Sequence, residues 1–267
     1  MRKLEKLRSL LLKLKRVVVA YSGGLDSAFL LKAAVDTLGK DNVLAVTARS
    51  ETYPLSEYEE AKIMAKRFGA KHLTINTKEL SLENFRSNPV NRCYYCKKEL
   101  FKKLNGIKKR YGMKYIVDGT NLDDLKDIRH GSKAAAEEGV KRPLLEAGIT
   151  KDDIRNFSKK LQLPTWDKPS FACLASRIPF GNRITIEALE RIDKAEEIMR
   201  RIGFRQVRVR CHNTIARIEL PRNDLKLGLK LKDSIANQLK RLGFIYITLD
   251  LEGYRTGSMH EKSSVVF

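Results

Sequence analysis

Apolar residues along this chain switch between two periods. Over residues 3 to 15, Leu4, Leu7, Leu10, Leu11 and Leu14 recur at helical spacing with Lys and Arg between them, which predicts a basic amphipathic helix whose leucine stripe packs on a core. The run Val17-Val18-Val19-Ala20-Tyr21 predicts a strand over 16–21, and Ala28-Phe29-Leu30-Leu31-Lys32-Ala33-Ala34 belongs to a helix over 27–38. Val43-Leu44-Ala45-Val46-Thr47-Ala48 reads as a second strand, a helix from about Ser56 to Phe68 ends at Gly69, and Lys71-His72-Leu73-Thr74-Ile75 is a third strand. Residues 76–92 read as a loop, followed by a helix through Leu100 and Leu104 and a strand at Tyr115-Ile116-Val117. Strands alternating with helices at this spacing predict an α/β fold built on a doubly wound parallel sheet, whose ligands sit at the carboxyl ends of the strands.

From about residue 182 the pattern changes. A helix from Thr185 to Arg201 stops at Gly203, strands follow over 205–211 and 214–220, and a helix near 231–241 precedes a strand over 244–250. That order predicts a smaller α+β domain of mostly antiparallel pairing, with domains at 1–180 and 181–267 and the boundary near Phe180-Gly181. Internal repeats and low-complexity tracts are absent from the sequence.

Composition narrows the class. With 42% apolar and 32% charged residues over 267 positions, the chain has the balance of a soluble globular protein and enough length for a substantial core. No apolar run approaches the roughly 20 residues that a bilayer-spanning helix needs. The basic N-terminus has neither a sustained apolar stretch nor a small-residue cleavage site, so a cytoplasmic location is expected. The net charge of +21, from 53 basic and 32 acidic residues, favours an anionic ligand. Phosphates are the first candidate and nucleic acid the second, although a Lys/Glu/Arg-rich surface is also the composition of heat-adapted proteins.

The chemistry concentrates in a few segments. Ser22-Gly23-Gly24-Leu25-Asp26-Ser27 joins the first strand to the second helix, and its two glycines let backbone N–H groups and the helix N-terminus converge on an anion. Serine hydroxyls add donors, and Asp26 is a candidate metal ligand; the longer spacer and Lys-Ser/Thr ending of an ordinary P-loop are missing. Asp118-Gly119-Thr120-Asn121-Leu122-Asp123-Asp124 follows another strand and faces the same crevice, with carboxylates suited to magnesium. The candidate residues of this anion site are Ser22, Gly23, Gly24, Leu25, Asp26, Ser27, Thr47, Gly119 and Asp124, with Asp26 and Asp124 as candidate magnesium ligands.

Four cysteines occur, and Cys93-Tyr94-Tyr95-Cys96 places two of them at a spacing that can chelate zinc, form a redox disulfide or give two thiolates to an iron–sulfur cluster. Cys173 lies in a long irregular segment from Pro164 to Pro179 with three prolines, and long loops of this kind are more often functional than idle. Cys211 falls on a strand and reads as a small buried apolar residue. Arg208 and Arg210, two apart on a strand, leave the same face and are candidates for gripping a phosphate. Ser176 and Arg177 follow Cys173 closely enough to meet the same substrate. Lys97, one residue past Cys96, is a candidate for stabilising charge on an adenylate. His130 and His212 read as surface or packing residues, and Trp166 as packing for the long loop.

Ser-Gly-Gly-x-Asp-Ser resembles the PP-loop of ATP pyrophosphatases, enzymes that cleave ATP between the α and β phosphates and adenylate a substrate oxygen. Together with Asp-Gly-Thr-Asn-x-Asp-Asp, Cys173-Leu174-Ala175-Ser176-Arg177-Ile178-Pro179 and the terminal Gly253-Tyr254-Arg255-Thr256-Gly257-Ser258-Met259, it is similar over nearly the whole chain to the LarE family of ATP-dependent sulfur transferases. The resemblance implies sulfur insertion during synthesis of the nickel-pincer nucleotide of lactate racemase, by adenylation of a carboxylate of pyridinium-3,5-biscarboxylic acid mononucleotide and displacement of AMP. It further implies a [4Fe-4S] cluster held by Cys93, Cys96 and Cys173, or, in the form that lacks the Cys-x-x-Cys pair, a Cys173 that surrenders its own sulfur. Arginines of this region bind substrate phosphate in the family, and its members form hexamers; the sulfide donor stays unknown. A tRNA thiolase with the same ATP chemistry is the competing enzyme reading, but the chain shows no aromatic residues interleaved with its arginines for RNA stacking, so nucleic acid and membrane are not expected partners. An amidotransferase would need an ammonia source, and a purely nucleotide-sensing or nucleic-acid-binding module would show salt-sensitive RNA binding without ATP turnover.

Overall fold

The computed structural model describes residues 2–126, 130–169, 171–255 and 258–259. Ser170, Thr256 and Gly257, which belong to two of the motifs above, lie outside the described residues. The chain separates into two compact units, one made of Met1–Phe85 and Asn91–Phe171, the other of Arg86–Val90 and Ala172–Phe267.

The first unit runs α1 (Arg2–Leu14), β1 (Val17–Ala20), α2 (Leu25–Leu38), β2 (Val43–Arg49), α3 (Leu55–Arg67), β3 (Lys71–Asn76), α4 (Glu83–Arg86), α5 (Arg92–Arg110), β4 (Tyr115–Val117), α6 (His130–Glu137), α7 (Pro143–Glu146) and α8 (Lys151–Lys160). Its four strands are parallel in the order β3-β2-β1-β4. Consecutive valines in β1 are buried because a parallel sheet is covered on both faces. Val17 and Val19 pack with Leu7 and Leu11 of α1 and Phe29 and Leu30 of α2, whereas Val18 turns to Phe101 and Leu104 of α5. Each such fully buried side chain contributes about 1.5–3 kcal/mol.

β1 lies between β2 and β4. The chain winds outward from β1 through β2 to β3, then crosses back to add β4 on the other side, so the winding reverses where β1 and β4 end. Ligands of open α/β sheets bind at such a reversal. The glycine-rich turn follows β1, and the Asp118–Asp124 segment follows β4.

The second unit contains α9 (Ile186–Ile202), β5 (Arg208–His212), β6 (Ile215–Glu219), α10 (Leu225–Lys230), α11 (Lys232–Lys240) and β7 (Tyr246–Leu249). Thr185 caps α9 by accepting from the Ala188 N–H at 3.1 Å, and Gly203 ends it in the left-handed region at φ 119°. β5 and β6 form an antiparallel hairpin, but β7 adds to β6 in parallel. The expected antiparallel character therefore holds for only one of the two pairings, because α10 and α11 form the crossover that a parallel return requires. Among the described residues no helix is long and apolar enough to cross a membrane.

Candidate active site

Gly23 is the tightest point of the turn after β1. Its φ of +65° favours glycine, and a Cβ there would stand 2.6 Å from the Ala61 Cβ of α3. Gly24 precedes α2 with no side-chain cap, which leaves the helix's first N–H groups for an anion. The Ser27 hydroxyl holds the bend, donating to the Gly24 carbonyl at 3.1 Å while the Ser22 N–H reaches it at 3.3 Å.

The second motif touches the first. A Cβ on Gly119 would lie 3.0 Å from the Ser27 nitrogen and 3.1 Å from the Asp26 carbonyl carbon, so this glycine rests directly on the backbone of the first turn of α2. Local turns shape the rest: Asp118 Oδ1 accepts from the Thr120 N–H at 3.0 Å, and Asp124 Oδ2 from the Asn121 N–H at 3.1 Å. Asp123 turns toward α8, accepting from the Lys151 N–H at 2.9 Å. Thr47, buried near the end of β2, donates its hydroxyl to the Tyr21 carbonyl at 2.8 Å and meets His72 Nε2 at 2.8 Å. A hydroxyl has one proton, so His72 carries its own on Nε2.

Five residues at this turn carry no local signal in the sequence. Tyr53 donates its phenol to the Ser22 carbonyl at 2.7 Å. The Lys168 ammonium stands 2.8 Å from Glu57, 2.7 Å from Glu60 and 3.4 Å from the Gly23 carbonyl. Burial opposes its charge, but Glu57 and Glu60 outweigh burial and hold its pKa above that of an ordinary lysine. Phe171 rests edge-on against Tyr53, with ring centroids 6.2 Å apart. The long proline-containing segment signalled function; only the fold shows that its lysine lies on the glycine turn.

Cys93 and Cys96 lie three residues apart in the first two turns of α5, so both thiols leave one side of the helix toward the positive end of its dipole. Cys93 is exposed and Cys96 half-buried. Lys97 packs its stem across Gly131 of α6, and its ammonium sits 5.5 Å from the centre of the Phe101 ring. Tyr94 and Lys98 fasten the same turn to Glu137 of α6 at 2.8 and 3.1 Å. Among the described residues no group of three or more His, Cys, Asp or Glu side chains gathers as a metal site. Cys93 and Cys96 belong to the first unit and Cys173 to the second.

In the second unit the remaining candidates converge. Cys173 precedes a short 3-10 turn, Leu174–Arg177, and its carbonyl accepts from the Ser176 N–H at 3.0 Å. Arg177 is fully buried and forks onto the buried Glu196 of α9 at 2.8 and 3.0 Å. Arg208 and Arg210 share a face of β5 but are only 7% and 6% exposed. The Arg208 guanidinium lies 5.4 Å from the centre of the Tyr254 ring and donates to the Val207 carbonyl at 2.8 Å. Burial, then the neighbouring Arg177, pulls its pKa below the usual arginine range. Arg210 donates to Glu219 at 2.6 Å, to Ser258 at 3.0 Å and to the Ser176 carbonyl at 3.1 Å. Among the described residues of this unit, the buried arginines Arg177, Arg208 and Arg210 gather with the buried glutamates Glu196 and Glu219, whose carboxylates also meet Arg200 at 3.7 Å and Arg217 at 3.0 Å. Cys211 packs nearby, and burial pushes its thiol pKa up. His212 is half-buried, with its pKa lowered by burial and then by Arg217 and Arg210.

Comparison with known proteins sets these sites in context. Residues 5–117 match the NAD synthase family model. The chain is 40% identical over 248 residues to the pyridinium-3,5-bisthiocarboxylic acid mononucleotide synthase of Lactiplantibacillus plantarum, covering 93% of this chain and 90% of that protein. An uncharacterized protein of Synechocystis is 43% identical over 265 residues, 97% of each chain. The tRNA-specific 2-thiouridylase of Desulforamulus reducens is 27% identical over 194 residues, 58% of this chain and 53% of that protein.

Proposed function

The chain belongs to the pyridinium-3,5-bisthiocarboxylic acid mononucleotide synthase family, and from that premise we propose that it is an ATP-dependent sulfurtransferase of nickel-pincer nucleotide synthesis, converting carboxylates of pyridinium-3,5-biscarboxylic acid mononucleotide to thiocarboxylates. One observation supports this reading above the others. In the second unit a single buried network joins the turn carrying Cys173 to Arg208 and Arg210, so the sulfur-handling residue and the cations suited to a mononucleotide phosphate share one frame.

ATP occupies the glycine turn, with its phosphates on the N–H groups that Gly23 and Gly24 expose. Asp26 and Asp124 hold magnesium through hard oxygen ligands. A substrate carboxylate oxygen attacks the α-phosphorus, the α–β bridging bond breaks and pyrophosphate leaves. Sulfur then attacks the activated carbonyl carbon, the acyl–oxygen bond breaks, and AMP departs. Lys97 stabilises charge developing on the adenylate, and Ser176, Arg208 and Arg210 form the phosphate-binding region, with Arg177 bonded beside them to the Ser176 hydroxyl.

Cys93, Cys96 and Cys173 are proposed ligands of a [4Fe-4S] cluster, for which the cysteine pair on one side of α5 is a suitable two-thiolate donor set. When bound, such a cluster supplies an iron free of protein ligands to which sulfide can attach. The second reading makes Cys173 itself the sulfur source, and the location of its turn on the phosphate-binding frame favours that alternative.

The test is product analysis. With ATP, magnesium and the pyridinium substrate, the protein is expected to form AMP and pyrophosphate, and Asp26→Asn to slow this by about 10²-fold or more. Release of ADP and orthophosphate would reject the proposal.

A further inference from the structure

We infer that Arg177 is a positioning residue: with Glu196 it forms a buried clamp that fixes the backbone of the Cys173 turn relative to the strand bearing Arg208 and Arg210. Nη1 of Arg177 faces three acceptors of the turn, namely the Ala172 carbonyl, the Cys173 carbonyl at 3.0 Å and the Ser176 hydroxyl at 2.9 Å. The other side of the same guanidinium is taken by Glu196, with Nε on Oε1 at 2.8 Å and Nη2 on Oε2 at 3.0 Å. Glu196 Oε1 also accepts from the Val209 N–H at 3.1 Å, the residue between the two phosphate-seeking arginines. One ion pair therefore spans the cysteine turn, helix α9 and strand β5.

Arg177 and Glu196 are both completely buried. A guanidinium enclosed in this way, with a carboxylate across one edge and backbone carbonyls across the other, is oriented to hold the chain rather than to reach for a ligand. The planar fork is essential, because its donors lie in fixed directions that a lysine ammonium cannot reproduce. Among the described residues, Arg208, Asp193, Tyr254 and the Cys173 side chain also act electrostatically on the guanidinium. Burial alone would favour loss of its proton, and Glu196 outweighs that, so the clamp stays charged. Displacing a reacting group by about 1 Å can cost on the order of 10²-fold in rate, so a clamp two bonds from the Cys173 Cα has direct leverage on sulfur transfer.

Two variants test this. Arg177→Lys keeps a charge beside Glu196 but loses the fork, whereas the double variant Arg177→Met, Glu196→Met removes both buried charges at similar volume, a replacement that folded proteins often tolerate. Both are first checked for cooperative melting. Hydrogen exchange of peptides covering 172–178 is expected to quicken by about tenfold in either folded variant, with exchange of β5 within about twofold of the parent. Resting on the proposed function, the kinetic arm expects ATP–pyrophosphate exchange and the KM for the pyridinium substrate to stay within about threefold while the sulfur-transfer step slows by about 10²-fold. Unchanged exchange over 172–178 in a folded variant overturns the clamp, as does a KM rise equal to that of Arg208→Ala, which would make Arg177 a phosphate ligand. If the parent protein makes no AMP from this substrate, the proposed function fails, and the exchange measurement still decides the clamp.

Discussion

Gly23 and Gly119 show how single positions build the nucleotide site. The added methyl of Gly23→Ala would meet Ala61 Cβ at 2.6 Å in a backbone conformation that alanine rarely adopts, and neither strain has a flexible side chain to absorb it. A stability loss of about 1–3 kcal/mol is expected, read from urea unfolding, together with a marked fall in AMP formation. Gly119→Ala is expected to spare overall stability better, since its contacts lie at 3.0–3.2 Å, but to displace the backbone at Asp26–Ser27 and raise the KM for ATP. Gly23 was legible in the sequence because a glycine pair between a strand and a helix has few other uses, and Gly119 because its carboxylate-rich motif also follows a strand. Lys168 and Tyr53 were not. Their contacts with the Gly23 and Ser22 carbonyls join segments far apart in the chain, and no local pattern encodes such a meeting. Arg177 was legible as a residue near Cys173, but patterns count a guanidinium as a surface group, and its complete burial depends on Glu196 from another element.

Elements followed their patterns closely where the hydrophobic period was regular. The leucine stripe of α1, the valines of β1 and the capped α9 lie where the spacing predicts, while residues 76–92, read as loop, contain a 3-10 turn at Glu79–Ser81, the short α4 and the start of α5. Short turns carry too few apolar repeats to register. β7 differs for another reason: strand direction depends on the crossover, not on the strand's own residues. The start of α8 gives a quantitative test. Thr150 caps it reciprocally with Asp153, and Lys3 of α1 pairs with the same carboxylate. Thr150→Ala is expected to cost about 1 kcal/mol in urea unfolding. Desolvation draws the Asp153 pKa upward, but the hydrogen bonds from Lys3 and Thr150 prevail and hold it below the usual carboxylate value. A depressed folded pKa means that this contribution is complete above the unfolded value of about 3.9 and disappears as pH falls through the lower folded value. Asp153→Asn should therefore flatten the acid limb of the stability curve below about pH 4, measured by unfolding midpoints across pH.

At the scale of the whole molecule, the three cysteines separate two accounts of where the sulfur originates. If Cys93, Cys96 and Cys173 hold a cluster, protein reconstituted under anaerobic conditions should bind about four irons per chain and turn over repeatedly when sulfide is supplied. Each single Cys→Ala change should abolish both properties, because two thiolates retain such a cluster poorly. A sacrificial Cys173 predicts a different pattern: Cys173→Ala alone is inactive, Cys93→Ala and Cys96→Ala stay active, and the reacted chain carries dehydroalanine at residue 173 after losing the elements of hydrogen sulfide. The Arg177 clamp sharpens the comparison, since it fixes the backbone carbonyl of Cys173 whether that residue binds iron or gives up its sulfur. Arg177→Lys should then slow sulfur transfer in both accounts, but iron content should fall with it only in the first. Mass spectrometry showing dehydroalanine at 173 with no dependence on iron would reject the cluster. Repeated turnover that tracks iron content across the three alanine variants would reject the sacrificial cysteine.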